Sequence, residues 1–281
     1  MRRRPAWPRK LANSAVQGIS VAAAALGLAA LAWILFVVLR HGAAALNWTF
    51  LTGLPSPPGG SGGGLANAII GTLLMTLVGC AIGVPVGMLA GVYLAEYGKG
   101  NRFATVVRFL VNVMMGIPSI IIGLFVYTIL VLPVGHFSGW AGGVSLALLV
   151  LPVVARTTED MLALVPNPLR ESALALGVPR WRATLQIAFR AAKTGLLTGV
   201  LLAVARVSGE TAPLLFTALN SPYMPHSLAG PTGNLTVTIY NYAMSPYPNW
   251  QQAAWGASFL ITIGVLALTV TSRALIRERV R

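Results

Sequence analysis

The sequence predicts an all-α membrane protein with about six transmembrane helices. Of its 281 residues, 56% are hydrophobic and 9% are charged, whereas a soluble protein has about a quarter charged residues. Several uncharged runs reach the roughly 20 residues that a helix needs to cross the hydrocarbon core of a bilayer. These observations exclude a soluble enzyme, a disordered protein and a conventional nucleic-acid-binding protein. We expect spans at residues 15–39, 65–95, 109–132, 142–158, 194–218 and 251–272.

The basic residues predict how the chain is oriented in the membrane. Eighteen of the 20 Lys and Arg residues lie in the segments 2–10, 99–108, 156–193 and 273–281. Cytoplasmic segments of membrane proteins carry an excess of Lys and Arg, so we place these four segments and both termini in the cytoplasm. Topology therefore explains the net charge of +14. We expect contact with membrane lipid and no nucleic acid partner.

The first hydrophobic run permits two interpretations. A basic start and the small residues around Ala30 and Ala32 are features of a cleaved signal peptide. The apolar run nevertheless continues to Leu39, whereas the apolar part of a signal peptide usually has about 7–15 residues. We therefore expect an uncleaved first helix.

Two segments on the predicted outer side differ from the spans. Residues 55–64 consist of Pro, Gly and Ser and predict a flexible connector. Residues 219–250 contain five prolines and four tyrosines. Two interpretations of this long segment stay open. It is either a solvated loop with aromatic anchors at the membrane interface, or an outer gate or docking surface for an external partner.

No catalytic or metal-binding set is visible in the sequence. His41, His136 and His226 are far apart and show no metal-ligand spacing. Cys80 is the single cysteine, which excludes an intrachain disulfide. The chain also lacks the GxxxxGK[ST] pattern of a nucleotide-binding loop. We expect no enzyme activity and no metal in this chain, and any ATP that drives it must be bound by another chain.

The loop 156–193 predicts a short helix at residues 168–176. Asn167 and Pro168 resemble an N-cap followed by a proline at the first helical position. Gly177 fits the left-handed position that commonly follows a helix.

This short helix must pack against something, because a short isolated helix is marginal in water. Leu169, Ala173 and Leu176 form an apolar stripe at helical spacing. A second helix is expected after Pro179, with Trp181 near its start. The stripe packs either on the membrane helices of its own chain or into a cytoplasmic partner.

Two charges fall inside the predicted span 194–218. Arg206 and Glu210 are four residues apart, so on a continuous helix they share a face and can pair. Each charge costs about 2.5–3.5 kcal/mol at the bilayer centre, so both must face a protein interior or a wet path. The alternatives are an ion pair that packs helices and a transport path.

A proline follows these charges. Pro213 cannot donate to the carbonyl of Gly209, which predicts a kink beside the charged residues. Ser208 and Thr211 add hydroxyl groups at the same place.

Residues 171–190 resemble the EAA loop of ATP-binding-cassette importer permeases. The positions that match that pattern are Glu171, Ala173, Gly177 and Ile187. The departures are Ser172 in place of an alanine and Phe189-Arg190 in place of Leu-Pro.

A wider resemblance, from about residue 65 to the C terminus, is to the phosphate importer permeases of the PstA type. The segments that carry it are residues 67–73, 93–98, 116–121, 203–218 and 244–252. The most specific of them contains Gly-Glu-Thr-Ala-Pro at residues 209–213.

This resemblance implies a fold, a function and partners. The fold is that of a type I importer permease (MetI-like), with a permease domain at 65–275. An N-terminal region at 1–64 holds the basic tail, the first helix and the external linker. The domain contains the EAA loop at 156–193, and a basic tail at 276–281 follows it. The implied function is the permease subunit of an ATP-driven phosphate importer in the bacterial inner membrane. A permease for another oxyanion, molybdate or sulfate, is the alternative.

The implied partners are a second, similar permease subunit, two ATPase subunits that bind ATP and Mg, and an external phosphate-binding protein. The expected translocation path comprises Arg206, Ser208, Glu210 and Thr211. The expected hinge comprises Gly209 and Pro213. The residues expected to couple the chain to the ATPase are Glu171, Ala173, Gly177 and Trp181.

Two rival classes remain to be distinguished. A secondary transporter driven by an ion gradient is expected to carry more intramembrane carboxylates than Glu210. A membrane-embedded enzyme requires a clustered catalytic set, which the sequence lacks.

Overall fold

The computed structural model describes residues 7–60 and 62–277, and the regular elements in that part of the chain are all helices. Predictions for Arg2, Arg3, Arg4 and residues 278–281 lie outside the described residues. The helices are α1 Trp7–Ala45, α2 Trp48–Thr52, α3 Ala66–Tyr97, α4 Arg102–Gly116, α5 Ser119–Val134, α6 Gly139–Ala163, α7 Asn167–Ala175, α8 Arg180–Val207, α9 Ala212–Thr217, α10 Leu235–Ala243 and α11 Pro248–Arg277.

Five of these helices, α1, α3, α6, α8 and α11, are long and apolar enough to cross a membrane. The pair α4 and α5 passes the same test together, so the described part of the chain has up to six spans. The predicted number is therefore confirmed. The predicted fourth span at 142–158 is the central part of α6, which continues through Pro152.

The predicted continuous span at 109–132 is wrong. α4 and α5 meet at an angle of 105°, because the chain leaves the helix at Ile117 and Pro118. Ile117 has an extended backbone, with φ −73° and ψ 130°, as expected for a residue that precedes proline. The two halves form a broken or re-entrant element.

The predicted span at 194–218 is also wrong. α8 begins at Arg180 and ends at Val207, and α9 starts at Ala212 after a non-helical break at residues 208–211. Pro213 stands in the first turn of α9, where its missing N–H leaves no intrahelical bond unmade. A new helix start replaces the expected kink.

α3 and α6 form the tightest pair in the bundle. Gly79, Gly83, Gly87 and Gly91 recur every four residues along α3, so they lie on one face. A Cβ at Gly83 would stand 2.7 Å from the carbonyl oxygen of Ala147. Small residues allow membrane helices to approach this closely. The core beside this pair also includes Val207 at the end of α8.

The outer linker, predicted to be a flexible connector, is hydrogen-bonded at two points to the start of α11. The Nε1 atom of Trp250 donates to the carbonyl of Ser56 at 3.1 Å. The Nδ2 atom of Asn249 donates to the carbonyl of Gly60 at 2.9 Å. The linker therefore lies against the start of α11.

Candidate functional site

The break at residues 208–211 separates the two predicted charges. Arg206 is in the last turn of α8 and is exposed, whereas Glu210 is half-buried in the break. Neither side chain makes an ion pair or a hydrogen bond with the residues that the structure describes. The predicted pairing is wrong for this conformation, because the helix that would align the two residues ends at Val207.

Several groups in and beside the break are nevertheless hydrogen-bonded, as a low-dielectric surrounding favours. The N–H of Glu210 donates to the carbonyl of Val207 at 3.2 Å. The carbonyl of Glu210 accepts from the hydroxyl of Thr236 at 2.8 Å. The hydroxyl of Ser208 donates to the carbonyl of Ala205 at 2.9 Å. Hydrogen bonds within the chain therefore stabilise the non-helical conformation of the break.

The outer segment 219–250 contributes to this site. Residues 232–238 are buried, and α10 begins beside α3, where the N–H of Leu235 donates to the Thr72 hydroxyl at 2.8 Å. Asn234 caps α10 by accepting from the N–H of Val237 at 2.8 Å. The interpretation as a solvated loop is therefore wrong for residues 232–238, whereas the gate or docking role stays a prediction. An Asn before an apolar run was the sequence signal for this helix.

A crevice of about 660 Å³ opens near the break, between α3, α8 and α11. Its lining is mostly apolar, with Thr72, Thr76 and Ser208 among the few polar members. Of the four predicted path residues, Ser208 lines this crevice. Arg206, Glu210 and Thr211 do not.

The predicted short helix is present as α7, one residue earlier than expected. Pro166 occupies the N-cap, and Asn167 is the first helical residue instead of the cap. Gly177 has φ +77° and ends α7 with two bonds. The N–H of Gly177 donates to Leu174 at 3.0 Å, and the N–H of Val178 donates to Ala173 at 3.1 Å. This is a Schellman motif, so the predicted left-handed glycine is confirmed.

The predicted apolar stripe on α7 does not pack as one surface. Ala173 is 3% exposed, but Leu169 is 46% and Leu176 is 84% exposed. Glu171 is exposed, and Trp181 is also exposed, with the Arg182 guanidinium 5.0 Å from its ring centroid. The side chains of Glu171, Leu176 and Trp181 are therefore accessible to a partner, whereas that of Ala173 is not.

Sequence reasoning missed Arg170. Its guanidinium donates to Glu96 through Nη2 at 2.7 Å and through Nε at 3.0 Å. It also donates to the carbonyls of Leu162 at 2.6 Å and Val165 at 2.5 Å. The residues are far apart in sequence, so no local pattern revealed the contact.

A second arginine makes a similar set of contacts. Arg108 of α4 donates to Glu159 of α6 at 2.5 Å and to the Leu94 carbonyl of α3 at 3.0 Å. Two of the predicted cytoplasmic segments, 99–108 and 156–193, therefore meet the end of α3 at one end of the bundle. They enclose a cleft of about 240 Å³ beside α7, whose charged lining residues are Glu96, Lys99, Arg170, Glu171 and Arg180.

Within the described residues, no group of three or more His, Cys, Asp or Glu residues is placed to hold a metal ion. His41 instead stacks on Trp255, with ring centroids 5.1 Å apart.

Residues 83–278 match the family described as binding-protein-dependent transport system inner membrane component. The chain is similar to the phosphate transport system permease protein PstA of Haemophilus influenzae, with 49% identity over 271 residues that cover 96% of each chain. It is also 47% identical to the protein of the same name from Yersinia pestis, over 99% of this chain and 94% of the relative.

The fold is similar to that of a chain in the solved structure of inward-facing conformations of the MetNI methionine ABC transporter. The TM-score is 0.64 at 23% identity, and the likeness covers 76% of this chain and 95% of that chain. Identity at this level shows the fold alone. The structural likeness confirms the predicted all-α fold of the MetI-like type.

Proposed function

This chain belongs to the family of binding-protein-dependent transport system inner membrane components, and we propose that it is the transmembrane permease subunit of an ATP-driven importer of inorganic phosphate. The names of the Haemophilus influenzae and Yersinia pestis relatives specify phosphate transport, which supports phosphate over molybdate or sulfate as the substrate. The membrane is the bacterial inner membrane, with both termini in the cytoplasm.

The translocation role rests on Arg206, which lies beside a broken helix, is exposed, and makes no ion pair or hydrogen bond with the part of the chain that the structure describes. An uncovered charge in hydrocarbon is costly, so another polypeptide or water must cover it. A second, similar permease subunit would supply that cover and the other wall of the path. Glu210, Ser208 and Thr211 lie within five residues of Arg206 and line the same wall in this proposal.

Importing an anion against an inside-negative potential requires an energy source. Moving one charge costs about 2.3 kcal/mol per 100 mV, so a doubly charged ion costs on the order of 5 kcal/mol before any concentration term. An open pore would release phosphate outward. The path must therefore open to one side at a time, in steps driven by ATP hydrolysis.

Two partner ATPase subunits bind the ATP and Mg, because this chain has no nucleotide-binding loop. We assign α7 as the element that docks into an ATPase subunit. The exposed Glu171 of α7 and Leu176, which directly follows the helix, are available for that contact together with the nearby Trp181. Closure of the ATPase pair moves α7 and opens the path outward toward an external phosphate-binding protein. Hydrolysis then returns the path to the inward-facing state.

The charged residues act on the anion during this cycle. Arg206 offers a counter-charge as phosphate passes. Glu210 competes with the anion for Arg206, so the anion is released instead of being held. Gly209 and Pro213, on either side of Glu210, allow α8 and α9 to change their relative angle.

Radiolabelled phosphate uptake tests this proposal in a strain that lacks the chain. The wild-type gene should restore uptake, and excess molybdate or sulfate should leave it unchanged. Uptake should also disappear when the partner ATPase carries an inactive nucleotide site. Uptake that persists without ATP hydrolysis would favour a gradient-driven transporter and refute the proposal.

A further inference from the structure

We infer that Arg170 is the positioning residue through which α7 moves the transmembrane helices, by its bonds to Glu96 on α3 and to the C-terminal end of α6. This inference rests on the proposed function, since it assumes that α7 receives the movement of the ATPase. It concerns the next step, which is how that movement reaches the membrane.

Apolar packing alone holds α7 weakly. Ala173 is the only buried residue of α7, while Leu169 and Leu174 are 46% and 41% exposed. Burial of one methyl side chain contributes about 1 kcal/mol. Polar contacts must therefore supply much of the connection between α7 and the bundle.

Arg170 supplies those contacts with defined directions. Its Nε and Nη2 atoms bind the Glu96 carboxylate at 3.0 and 2.7 Å, and its Nη1 and Nη2 atoms reach two backbone carbonyls. The side chains of Arg170 and Glu96 are 16% and 11% exposed, so water screens the pair little. A forked guanidinium fixes both distance and angle, which a point charge cannot do.

Each acceptor lies at the end of a membrane helix. Glu96 is in the last turn of α3, which is a π-helical turn at Tyr93–Tyr97. Such turns are frequent at functional sites. Leu162 and Val165 lie where α6 ends, and carbonyls at a helix C-terminus need external donors and favour a positive charge. Arg170, in the first turn of α7, thus links α7 to the C-terminal ends of α3 and α6.

α3 and α6 carry the movement onward to the break. Their glycine-lined contact brings their backbones together, so they move as a unit. Residues of both helices, Met75 and Val150, belong to the same buried cluster as Val207, which is the last residue of α8 before the break. A displacement of Arg170 is therefore transmitted to Arg206 through side chains that are in contact along α3, α6 and the end of α8.

Arg170 and Glu171 have different roles on α7: Arg170 binds its own chain, and Glu171 faces a partner. Neighbouring residues on a helix point about 100° apart. Glu171 is exposed and makes no hydrogen bond or ion pair with the described residues, so it remains free for a partner. Arg170 points inward and binds its own chain.

The test uses the complete importer reconstituted in vesicles with its binding protein. The variants are Arg170→Gln, Glu96→Gln and the double variant. Arg180→Gln is the matched control, because Arg180 lines the same cleft and makes no side-chain ion pair within the described residues. The measurements are co-purification of the ATPase, ATP hydrolysis and phosphate imported per ATP.

We expect Arg170→Gln and Glu96→Gln to retain the ATPase but to import roughly tenfold less phosphate per ATP, as for loss of about 1.4 kcal/mol of coupling. The double variant should be no worse than the poorer single one, because the two residues act as one unit. A spin label at Ser172→Cys, in a Cys80→Ser background, should become more mobile in Arg170→Gln. Arg180→Gln should match the wild type in every measurement.

Three results would overturn the inference. Phosphate imported per ATP could be equal in Arg170→Gln and Arg180→Gln. The double variant could show the product of the single effects. Both single variants could lose the ATPase, which would assign the pair to assembly. Failure of the wild-type importer to couple ATP to phosphate would instead reject the proposed function.

Discussion

Gly123 lies directly against the backbone of Pro213. A Cβ at Gly123 would stand 2.6 Å from the Pro213 Cα atom and 3.1 Å from its carbonyl oxygen. Gly123 is in α5, beyond the bend that follows α4, and Pro213 is in α9, beyond the break that follows α8. The contact therefore joins the two interrupted elements of the fold.

Gly123→Ala is expected to destabilise this junction. Overpacking a close backbone contact typically costs about 1–3 kcal/mol, and α5 or α9 must shift to admit the methyl group. We expect a lower unfolding temperature in detergent and reduced phosphate uptake. Thermal unfolding and uptake measured on the same preparation check this prediction.

Gly116→Ala is the matched control. Gly116 is also helical, in α4, but a Cβ there meets no atom within 4 Å. This variant should be as stable as the wild type or slightly more stable, because alanine favours helices. Equal behaviour of the two variants would show that the Gly123 contact is not tight in the membrane.

Arg206→Gln is expected to abolish uptake while the complex still assembles. The exposed guanidinium makes no hydrogen bond or ion pair within the described residues, so its removal leaves no internal group unpaired. Arg206→Lys should retain part of the activity because it keeps the charge. Arg40→Gln, which removes another exposed arginine, serves as the control and should transport normally. Full uptake by Arg206→Gln would reject the counter-charge role.

Glu210→Gln separates the competing role of the carboxylate from a structural one. The backbone carbonyl of Glu210, and not its side chain, binds Thr236, so the break should persist in this variant. If Glu210 competes with phosphate for Arg206, its loss should lower KM and kcat together, because the bound anion becomes more stable. A change in kcat alone would contradict this competition.

The long spans and the end of α7 were predictable because they depend on local chemistry. α3 and α6 are apolar runs of sufficient length, and Gly177 with Pro179 is a local stop signal. The breaks were not predictable from prolines alone. Pro85 and Pro152 lie inside continuing helices, whereas Pro118 follows the end of one.

Tertiary packing determines whether a helix continues through a proline or ends before it. Pro152 is buried in the bundle, and α6 continues through it. At the break, α10 satisfies the freed carbonyl of Glu210 through Thr236. The Arg170–Glu96 contact joins residues 74 positions apart, so periodicity carried no information about it.

Trp250→Phe is expected to loosen the outer linker. The indole donates to the carbonyl of Ser56 at 3.1 Å and stacks on Tyr242, with centroids 4.5 Å apart and planes at 7°. Phenylalanine keeps an aromatic ring but removes the donor, which should cost about 0.5–1.5 kcal/mol. Faster proteolysis within residues 55–64 measures the effect. Trp48→Phe is the control, because Trp48 is 79% exposed, and equal cleavage in both variants would contradict the assigned bond.

Gly177→Ala tests the docking role of α7. At φ +77° an alanine costs about 1–2 kcal/mol, and a Cβ there meets no atom within 4 Å, so the strain arises in the backbone alone. The Schellman bonds to Leu174 and Ala173 should weaken, and α7 should present Glu171 at a wrong angle. We expect less ATPase to co-purify and less hydrolysis to be coupled to uptake.

Gly135→Ala is the matched control. It carries the same kind of strain, at φ +81° and with no atom within 4 Å of an added Cβ, but it lies at the end of α5. It should lose a similar amount of stability and keep the ATPase. If the two variants retain the ATPase equally, the orientation of α7 does not govern docking.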